Sequence, residues 1–442
     1  MKHLFTLFIS LISLGLFAQD PNQFSLNEAL DFAVEHNSSM INANRDVQAA
    51  YAQKWATIAS GLPQISAAGS YQDQLKRPVS LLPAEIFGGE AGTYIPVTFG
   101  QKMNMSASAT LNQKIFDGSY IVGVQAIKTY IDISGNALKK TRQEVKKSVV
   151  NAYGNVLLVN ESAAIIAKNI SNLKDNVNEA QQLFKQGFVE EEQLEQLQIT
   201  LANLESQERN VQRLQSISLQ LFNLLLGLPL EQETQLSDNL EQLAAKNLLE
   251  AKDGFDFVLK ENVDYQIAFN LKEQKRLELK LEYSKFLPSL NAFVNYSTNA
   301  FGNEFQFFNS EQNWYDASIF GLNLNVPIFS SFMKRAYAKK AKIAFEQSKT
   351  DLNQAEKQLR LKYQQSKSQF QLAAENYQTS KSNLSLAERI EKKNSIKYKE
   401  GLISGFDLRQ AQLQLYEAQR SYLESMLEVI NSKTELETLT EK

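Results

Sequence analysis

Gly61-Leu62-Pro63-Gln64-Ile65-Ser66-Ala67 has a counterpart late in the chain, Phe286-Leu287-Pro288-Ser289-Leu290-Asn291-Ala292. Two further stretches recur. Leu111-Asn112-Gln113-Lys114-Ile115-Phe116 returns as Leu324-Asn325-Val326-Pro327-Ile328-Phe329, and Phe184-Lys185-Gln186-Gly187-Phe188-Val189 returns as Tyr398-Lys399-Glu400-Gly401-Leu402-Ile403. The order is the same in both halves. The offset is about 225 residues at the first marker and about 213 at the next two, so the loop between them is about 12 residues longer in the first half. Three markers in register predict a tandem duplication.

Each half has the same grammar. Ser25-Leu26-Asn27-Glu28 is a capping box that opens a helix, expected to run to about Ser60 and to stop at Leu62-Pro63 because proline cannot continue it. Its counterpart runs from about Asp264 to Lys285 and stops at Leu287-Pro288. Strand text follows. Met103, Met105, Ala107, Ala109 and Leu111 alternate with Asn104, Ser106, Ser108, Thr110 and Asn112. Leu290, Ala292, Val294 and Tyr296 alternate with Asn291, Phe293, Asn295 and Ser297, and Ser318 to Val326 repeats the pattern. Period two means two faces, one apolar and one mainly polar and small. Stretches of about ten residues suit a tilted strand crossing a bilayer. Gly- and aromatic-rich loops, roughly 74–100 and 299–316, join the members of each pair. Tyr71, Tyr94, Tyr296, Trp314 and Tyr315 either form an interface belt or pack those loops.

A proline-free stretch from Gly118 to Gln186 predicts a helix of roughly 100 Å, with Ser331 to Glu400 as its copy. Both end at a glycine, Gly187 and Gly401. A returning helix follows each. Leu408, Ala411, Leu415, Ala418, Tyr422, Ser425 and Val429 step by three and four, a coiled-coil seam. Leu194, Leu197, Leu201, Leu204 and Val211 give the first-half version. Glu190–Leu226 and the helix at 264–285, roughly 55 and 33 Å, together match one long helix.

Lys2, the apolar stretch Leu4 to Phe17 and a cleavage site near Ala18 read as a secretory signal over residues 1–18. After it no apolar run is expected to reach the length of a membrane-spanning helix. The resulting domain reading is a first repeat over 19–228 with its strand hairpin at 63–116, an equatorial segment over 229–257, and a second repeat over 258–442 with its hairpin at 288–329. There are no cysteines and two histidines among 442 residues. Disulfides, thiolate metal sites, cysteine nucleophiles and a lipidated N-terminal cysteine are therefore excluded. His36 falls at the end of a helical pattern, where a capping or solvated histidine is the ordinary case. No phosphate-binding glycine loop, nucleophile elbow or metal-ligand cluster occurs, so no catalytic, cofactor-binding or metal residues are assigned. The formal net charge of −3 gives no electrostatic reason to expect nucleic acid.

Four strands cannot close a barrel, and in lipid every strand edge must be paired. Two chains would give eight strands around a filled interior; three give twelve and leave a lumen. Counting favours a homotrimer.

The Leu-Pro markers, Ile115-Phe116-Asp117-Gly118 and Pro327-Ile328-Phe329 at the strand-to-helix junctions, and the paired turns at Gly187 and Gly401 resemble the outer-membrane efflux protein (TolC) family over nearly all the mature chain. The resemblance implies a mainly α fold with a β-barrel contribution: coiled-coil helices in a periplasmic tunnel and four strands in a trimeric twelve-stranded barrel. It implies the outer membrane of a Gram-negative bacterium, contact with its lipid, and docking to a periplasmic adaptor and an inner-membrane pump that selects cargo. Carried over, Gly187, Gly401, Phe184 and Phe188 would form the tip turns and adaptor contact. Tyr398 and Asp407 match positions near the family's tip constriction. The family's first-repeat aspartate site falls at Gln193, beside Glu190, Glu191 and Glu192, and its second-repeat arginine site falls at Ile403. These departures suggest an acidic ring in place of the family's gate bonds; the glutamates would otherwise be a solvated helix start favoured by the helix dipole. The alternative to a duct is a periplasmic or surface coiled-coil scaffold without a pore.

Overall fold

The computed structural model describes residues 23–250 and 256–440. The expected signal segment, 1–18, lies outside them, as do 251–255 of the expected equatorial segment. In chain order the elements are β1 (Gln23–Phe24), α1 (Leu26–His36), α2 (Ser38–Ala59), β2 (Gln64–Asp73), β3 (Val79–Pro83), β4 (Tyr94–Thr98), β5 (Met103–Phe116), α3 (Gly118–Lys185) and α4 (Glu191–Leu226). They continue with β6 (Gln235–Leu236), α5 (Leu240–Glu250), α6 (Val263–Ser284), β7 (Ser289–Gly302), β8 (Trp314–Asn325), α7 (Met333–Lys399) and α8 (Gly405–Thr440). Gln48–Asp132 and Asn270–Thr350 form one compact unit, and the rest of the described chain forms a second.

In the first unit, β2, β5, β7 and β8 make an antiparallel sheet in that order. The register carries the period-two pattern across all four strands. Ile65, Leu111, Val294 and Phe320 lie side by side on one face, and Ser66, Thr110, Asn295 and Ile319 on the other. The second face is knitted by polar cross-strand bonds. Asn295 Nδ2 donates to Thr110 Oγ1 at 2.7 Å, and the Ser70 and Ser106 hydroxyls share a bond of 2.8 Å. Phe293 folds over Gly321, where a Cβ would stand 2.5 Å from the ring. β2 and β8 are the outer strands, each paired on one side only.

Both Leu-Pro markers end helices with i to i+3 bonds. Leu62 N donates to Ala59 O, and Leu287 N to Ser284 O. Asp117 opens α3, its Oδ1 accepting from Ser119 N at 2.8 Å. The stretch 74–100, read as a plain loop, contains a second hairpin, β3 with β4. Pro83 and Pro96 lie within its strands, and a two-stranded ribbon tolerates a missing amide on its outer side. Tyr71 packs edge-on against Phe305 and Phe307 at 5.5 and 5.9 Å, so this member of the expected belt packs loop residues.

In the second unit, α3 runs with α4 and α7 with α8. Lys174 pairs with Glu205 at 3.1 Å, and Gln369 Nε2 donates to Glu428 Oε1 at 2.8 Å. The expected seams are buried at Leu194, Leu197 and Leu204 and at Leu408, Ala411, Tyr422, Ser425 and Val429. Leu201, Val211, Leu415 and Ala418 are only half-buried. The largest cluster gathers Val149, Tyr153, Val156, Phe222, Leu226, Met426 and Ile430. It also bears on the expectation that no apolar run reaches the length of a membrane-spanning helix. A window of α3 reaches a mean hydropathy of 1.2, apolar and long enough by composition to span a membrane. Val149, Val150, Tyr153, Val156 and Leu157 of this helix are buried in the protein core.

The N-terminal helix also departs from expectation, breaking at Asn37. That residue is extended, with φ −63° and ψ 131°. Its Oδ1 accepts from Ser39 N at 2.8 Å and Met40 N at 3.4 Å, capping α2, while its Nδ2 donates to Leu225 O at 2.7 Å. The Ser25–Glu28 capping box forms as read. His36 is exposed and stacks on Phe32 at 4.0 Å.

The described part of 229–257 is structured. β1 pairs in parallel with β6, and α5 packs on α8 through the buried Leu240, Leu243 and Ala244. Three carboxylates fasten it. Asp238 accepts from the buried Tyr153 hydroxyl at 2.8 Å and from Leu26 N at 2.7 Å. Glu241 Oε1 accepts from Lys381 Nζ and Tyr422 OH, both at 2.8 Å. Glu250 meets the buried Lys433 ammonium at 2.5 Å, with Glu437 on its other side at 3.1 Å. The Lys381 bond holds Glu241 below the usual carboxylate range, and the Lys433 bond does the same for Glu250.

Asn37→Ala should therefore remove a cap and leave the Leu225 carbonyl without its donor, costing about 2 kcal/mol in detergent unfolding followed by circular dichroism. Because the folded pKa values of Glu241 and Glu250 are depressed, their contribution is complete above the unfolded carboxylate pKa and is lost as pH falls through the folded values. Hydrogen exchange in α5 should accordingly accelerate at acidic pH before exchange in the middle of α3, and Glu250→Gln should reproduce part of that loosening at neutral pH.

Candidate functional site

The candidate site is the pair of helix turns in the helical unit. At the first, Gly187 has φ +77°; Gly187 N donates to Phe184 O and Phe188 N to Leu183 O, both at 2.9 Å. At the second, Gly401 has φ +70°; Gly401 N donates to Tyr398 O at 3.0 Å and Leu402 N to Lys397 O at 2.9 Å. Each is a Schellman cap, which satisfies the last carbonyls of a helix through a left-handed residue. A Cβ would meet nothing within 4 Å at either glycine, so the requirement is conformational and not steric. Phe184, Phe188, Leu402 and Phe406 stand exposed around the turns.

The helix starts beyond the turns differ. Ser404 Oγ donates to Asp407 Oδ2 at 2.7 Å, Ser404 N donates to the same oxygen at 3.1 Å, and Asp407 N returns a bond to Ser404 Oγ. Asp407 is thus engaged as the acid of a capping box on its own helix. In the first half Glu190 takes the N-cap place with no side-chain cap bond. Glu190, Glu191 and Glu192 are exposed, and Glu192 accepts from Gln196 at 3.0 Å. Gln193 reaches across to α8. A Cβ on Gly405 would lie 2.1 Å from Gln193 Nε2, so the glutamine amide occupies the space that the missing side chain leaves.

Tyr398 is buried, its hydroxyl without a bonding partner among the described residues. Burial, and then the charge of Glu179, push its pKa up. Arg409 Nε and Gln412 Oε1 are likewise buried and unbonded, and the Arg409 guanidinium sits 5.3 Å from the Phe406 ring centre. The sequence reading singled out Tyr398, Asp407 and Gln193 but not Ser404, Gly405, Arg409 or Gln412. Ser404-Gly405-Phe406-Asp407 carries the capping-box pattern, so that part was readable. The other contacts depend on which helices meet. Among the described residues no three His, Cys, Asp or Glu side chains gather as metal ligands.

The model of the outer membrane efflux protein family matches residues 29–228 and 267–440. The chain belongs to that family. Its fold matches solved efflux channels. The outer membrane protein VceC of Vibrio cholerae is 15% identical, with a TM-score of 0.73, and the match covers 94% of this chain and 96% of that one. The CmeC outer membrane channel of Campylobacter jejuni is 16% identical, with a TM-score of 0.75 and coverage of 94% and 85%. The open-state MtrE outer membrane channel of Neisseria gonorrhoeae is 16% identical, with a TM-score of 0.71 and coverage of 94% and 88%. No curated protein matches the chain. The family and fold are those of channel proteins, not of enzymes.

Gly405→Ala should force the half-buried, flexible Gln193 side chain aside at a cost of up to about 1 kcal/mol, below the range for overpacking a rigid core. Adding Gln193→Ala should recover most of that loss, a coupling that a double-mutant cycle in thermal unfolding reads directly. Gly187→Ala, with open space but a positive φ, should cost about 1–2 kcal/mol with no such rescue.

Proposed function

We propose that the chain is one protomer of a homotrimeric outer-membrane exit duct, the passive channel of a tripartite efflux or type I secretion system, gated at its periplasmic tip. The observation that carries this reading is the sheet. Four strands of 10 to 14 residues present one apolar face, with Ile65, Phe320 and Leu322 exposed on it. The opposite face is mainly polar, and the β2 and β8 edges are open. In hydrocarbon such edges must be paired. Joining β8 of one copy to β2 of the next closes a ring, and three copies give twelve strands with polar side chains toward the lumen. A water-soluble scaffold has no use for that face.

The reading extends to the parts carried by family resemblance. Residues 1–18 serve as signal peptide, 19–228 and 258–442 as duplicated repeats, and 229–257 as an equatorial segment. The outer membrane of a Gram-negative bacterium is the site of action, with an adaptor and an inner-membrane pump as partners. Phe184, Gly187, Phe188 and Gly401 form the docking tip. Glu190, Glu191 and Glu192, repeated three times, make an acidic constriction near Tyr398, Gln193 and Asp407 that favours cations.

Purified mature protein in detergent should have the mass of a trimer and give discrete conductance steps in a planar bilayer. Reversal of charge at Glu190, Glu191 and Glu192 should move the selectivity toward anions. A monomer that never inserts would leave the scaffold as the better account, and unchanged selectivity would remove the acidic ring while keeping the pore.

A further inference from the structure

The two strand-to-helix junctions have diverged. The first runs from β5 into α3 through the Asp117 cap, and the opening of α3 is nearly uncharged, with only Lys128 and Asp132 between Gly118 and Asp132. The second runs from β8 into α7 through Val326-Pro327-Ile328-Phe329-Ser330-Ser331-Phe332. Here the apolar register of Phe320, Leu322 and Leu324 continues past the end of the strand to Val326 and Ile328, the last 94% exposed. Phe329 and Phe332 follow, both well exposed, their rings edge to face at 5.8 Å. Ser331 and Phe332 hold φ of +47° and +61°, a conformation rare for residues with side chains.

The opening of α7 is strongly cationic. Between Met333 and Thr350 lie Lys334, Arg335, Lys339, Lys340, Lys342 and Lys349, against the single carboxylate of Glu346. Arg335, Lys339, Lys342 and Lys349 recur at spacings of four, three and seven, which places them on one face of the helix. Lys349 is paired with Glu346 at 2.9 Å. Arg335, Lys339 and Lys342 are exposed and have no ion partner among the described residues. The order along the chain is an apolar strand face, an aromatic pair, then unpaired cations. A bilayer presents the same order: hydrocarbon, interface, headgroups. From Met333 to Lys342 the helix rises about 14 Å, so Arg335 and Lys339 fall within a headgroup layer and Lys342 within a Debye length of it.

We infer that this junction is an anionic-phospholipid anchor. Phe329 and Phe332 seat at the interface of the bilayer leaflet on the helical side of the barrel, and Arg335, Lys339 and Lys342 take the headgroup phosphates. The inference rests on the barrel reading above and adds to it a lipid class and one location, the second junction and not the first.

The test uses the full mature protein and the triple variant R335Q/K339Q/K342Q, reconstituted in vesicles of phosphatidylcholine alone or mixed with phosphatidylglycerol. Phosphatidylglycerol binding to the purified assemblies is then titrated at low and high salt. The wild type should bind phosphatidylglycerol in a salt-sensitive way. The variant should lose on the order of tenfold to a hundredfold in affinity while keeping its assembly state and conductance. Lys128→Gln, at the first junction, should change nothing. Equal phosphatidylglycerol affinity in wild type and triple variant overturns the anchor while the pore stands. So does a shift in ion selectivity with lipid binding intact, which would put the cationic face on the lumen. A wild type that inserts in neither vesicle overturns the barrel reading and the anchor with it.

Discussion

An unpaired strand edge in hydrocarbon leaves amides and carbonyls that no lipid can satisfy, at several kcal/mol each. That cost shapes the sheet unit. The β2–β5–β7–β8 sheet is internally complete across three ladders and incomplete at both outer strands. Among the described residues no layer covers its apolar face at Ile65, Phe320, Leu322 and Leu324, all of which are exposed in the single chain. In water that combination is an aggregation hazard. In a membrane the same features become a requirement for further copies, because edge pairing and lipid contact then satisfy both deficits at once. The polar face is already arranged for the wet side, through the Asn295–Thr110 and Ser70–Ser106 bonds.

What was legible in the sequence was what is decided locally. The Ser25–Glu28 box, the two Leu-Pro stops, the glycine turns and the alternation of Met103 to Leu111 each depend on residues within a few positions, and each forms as read. The resemblance to efflux proteins likewise rested on order and spacing, which survive at identities near 15%. What was not legible depends on distant partners. Nothing near Asn37 says that its amide will find Leu225 O, and without that bond Leu26 to Ala59 reads as one helix. The β3–β4 ribbon was read as a glycine- and aromatic-rich loop, its short strands lacking a clean alternation. The α5 segment was hidden because the groups that hold it, Tyr153, Lys381, Tyr422 and Lys433, come from three other helices.

The candidate tip divides along the same line. The backbone turns were readable because only glycine takes their positive φ without strain. The side-chain roles were less so. Asp407, assigned by resemblance to a constriction, bonds to Ser404 in its own helix start. A carboxylate occupied in this way still presents charge, but it is no longer free to be the sole partner of a distant group. Gln193, where the resemblance led one to look for an acid, is an amide lying on Gly405. A contact between the two turns is thus made by shape and packing at the position where the family carries an aspartate.

Hydrogen-bond satisfaction differs within the helical unit in a way that bears on where it can move. Around α5 the buried polar groups are matched. Lys433 has two carboxylates, the Tyr153 hydroxyl donates to Asp238, and Asn223 donates to Leu230 and Gln232 carbonyls while accepting from Thr234. Separating these groups would strand charges and donors at a high cost. Near the turns the buried Tyr398 hydroxyl, Arg409 Nε and Gln412 Oε1 have no hydrogen-bond partner among the described residues. Moving them forfeits no hydrogen bond and can gain one. A rearrangement of the helical unit therefore has charge-assisted bonds to break around α5 and none to break at these three atoms.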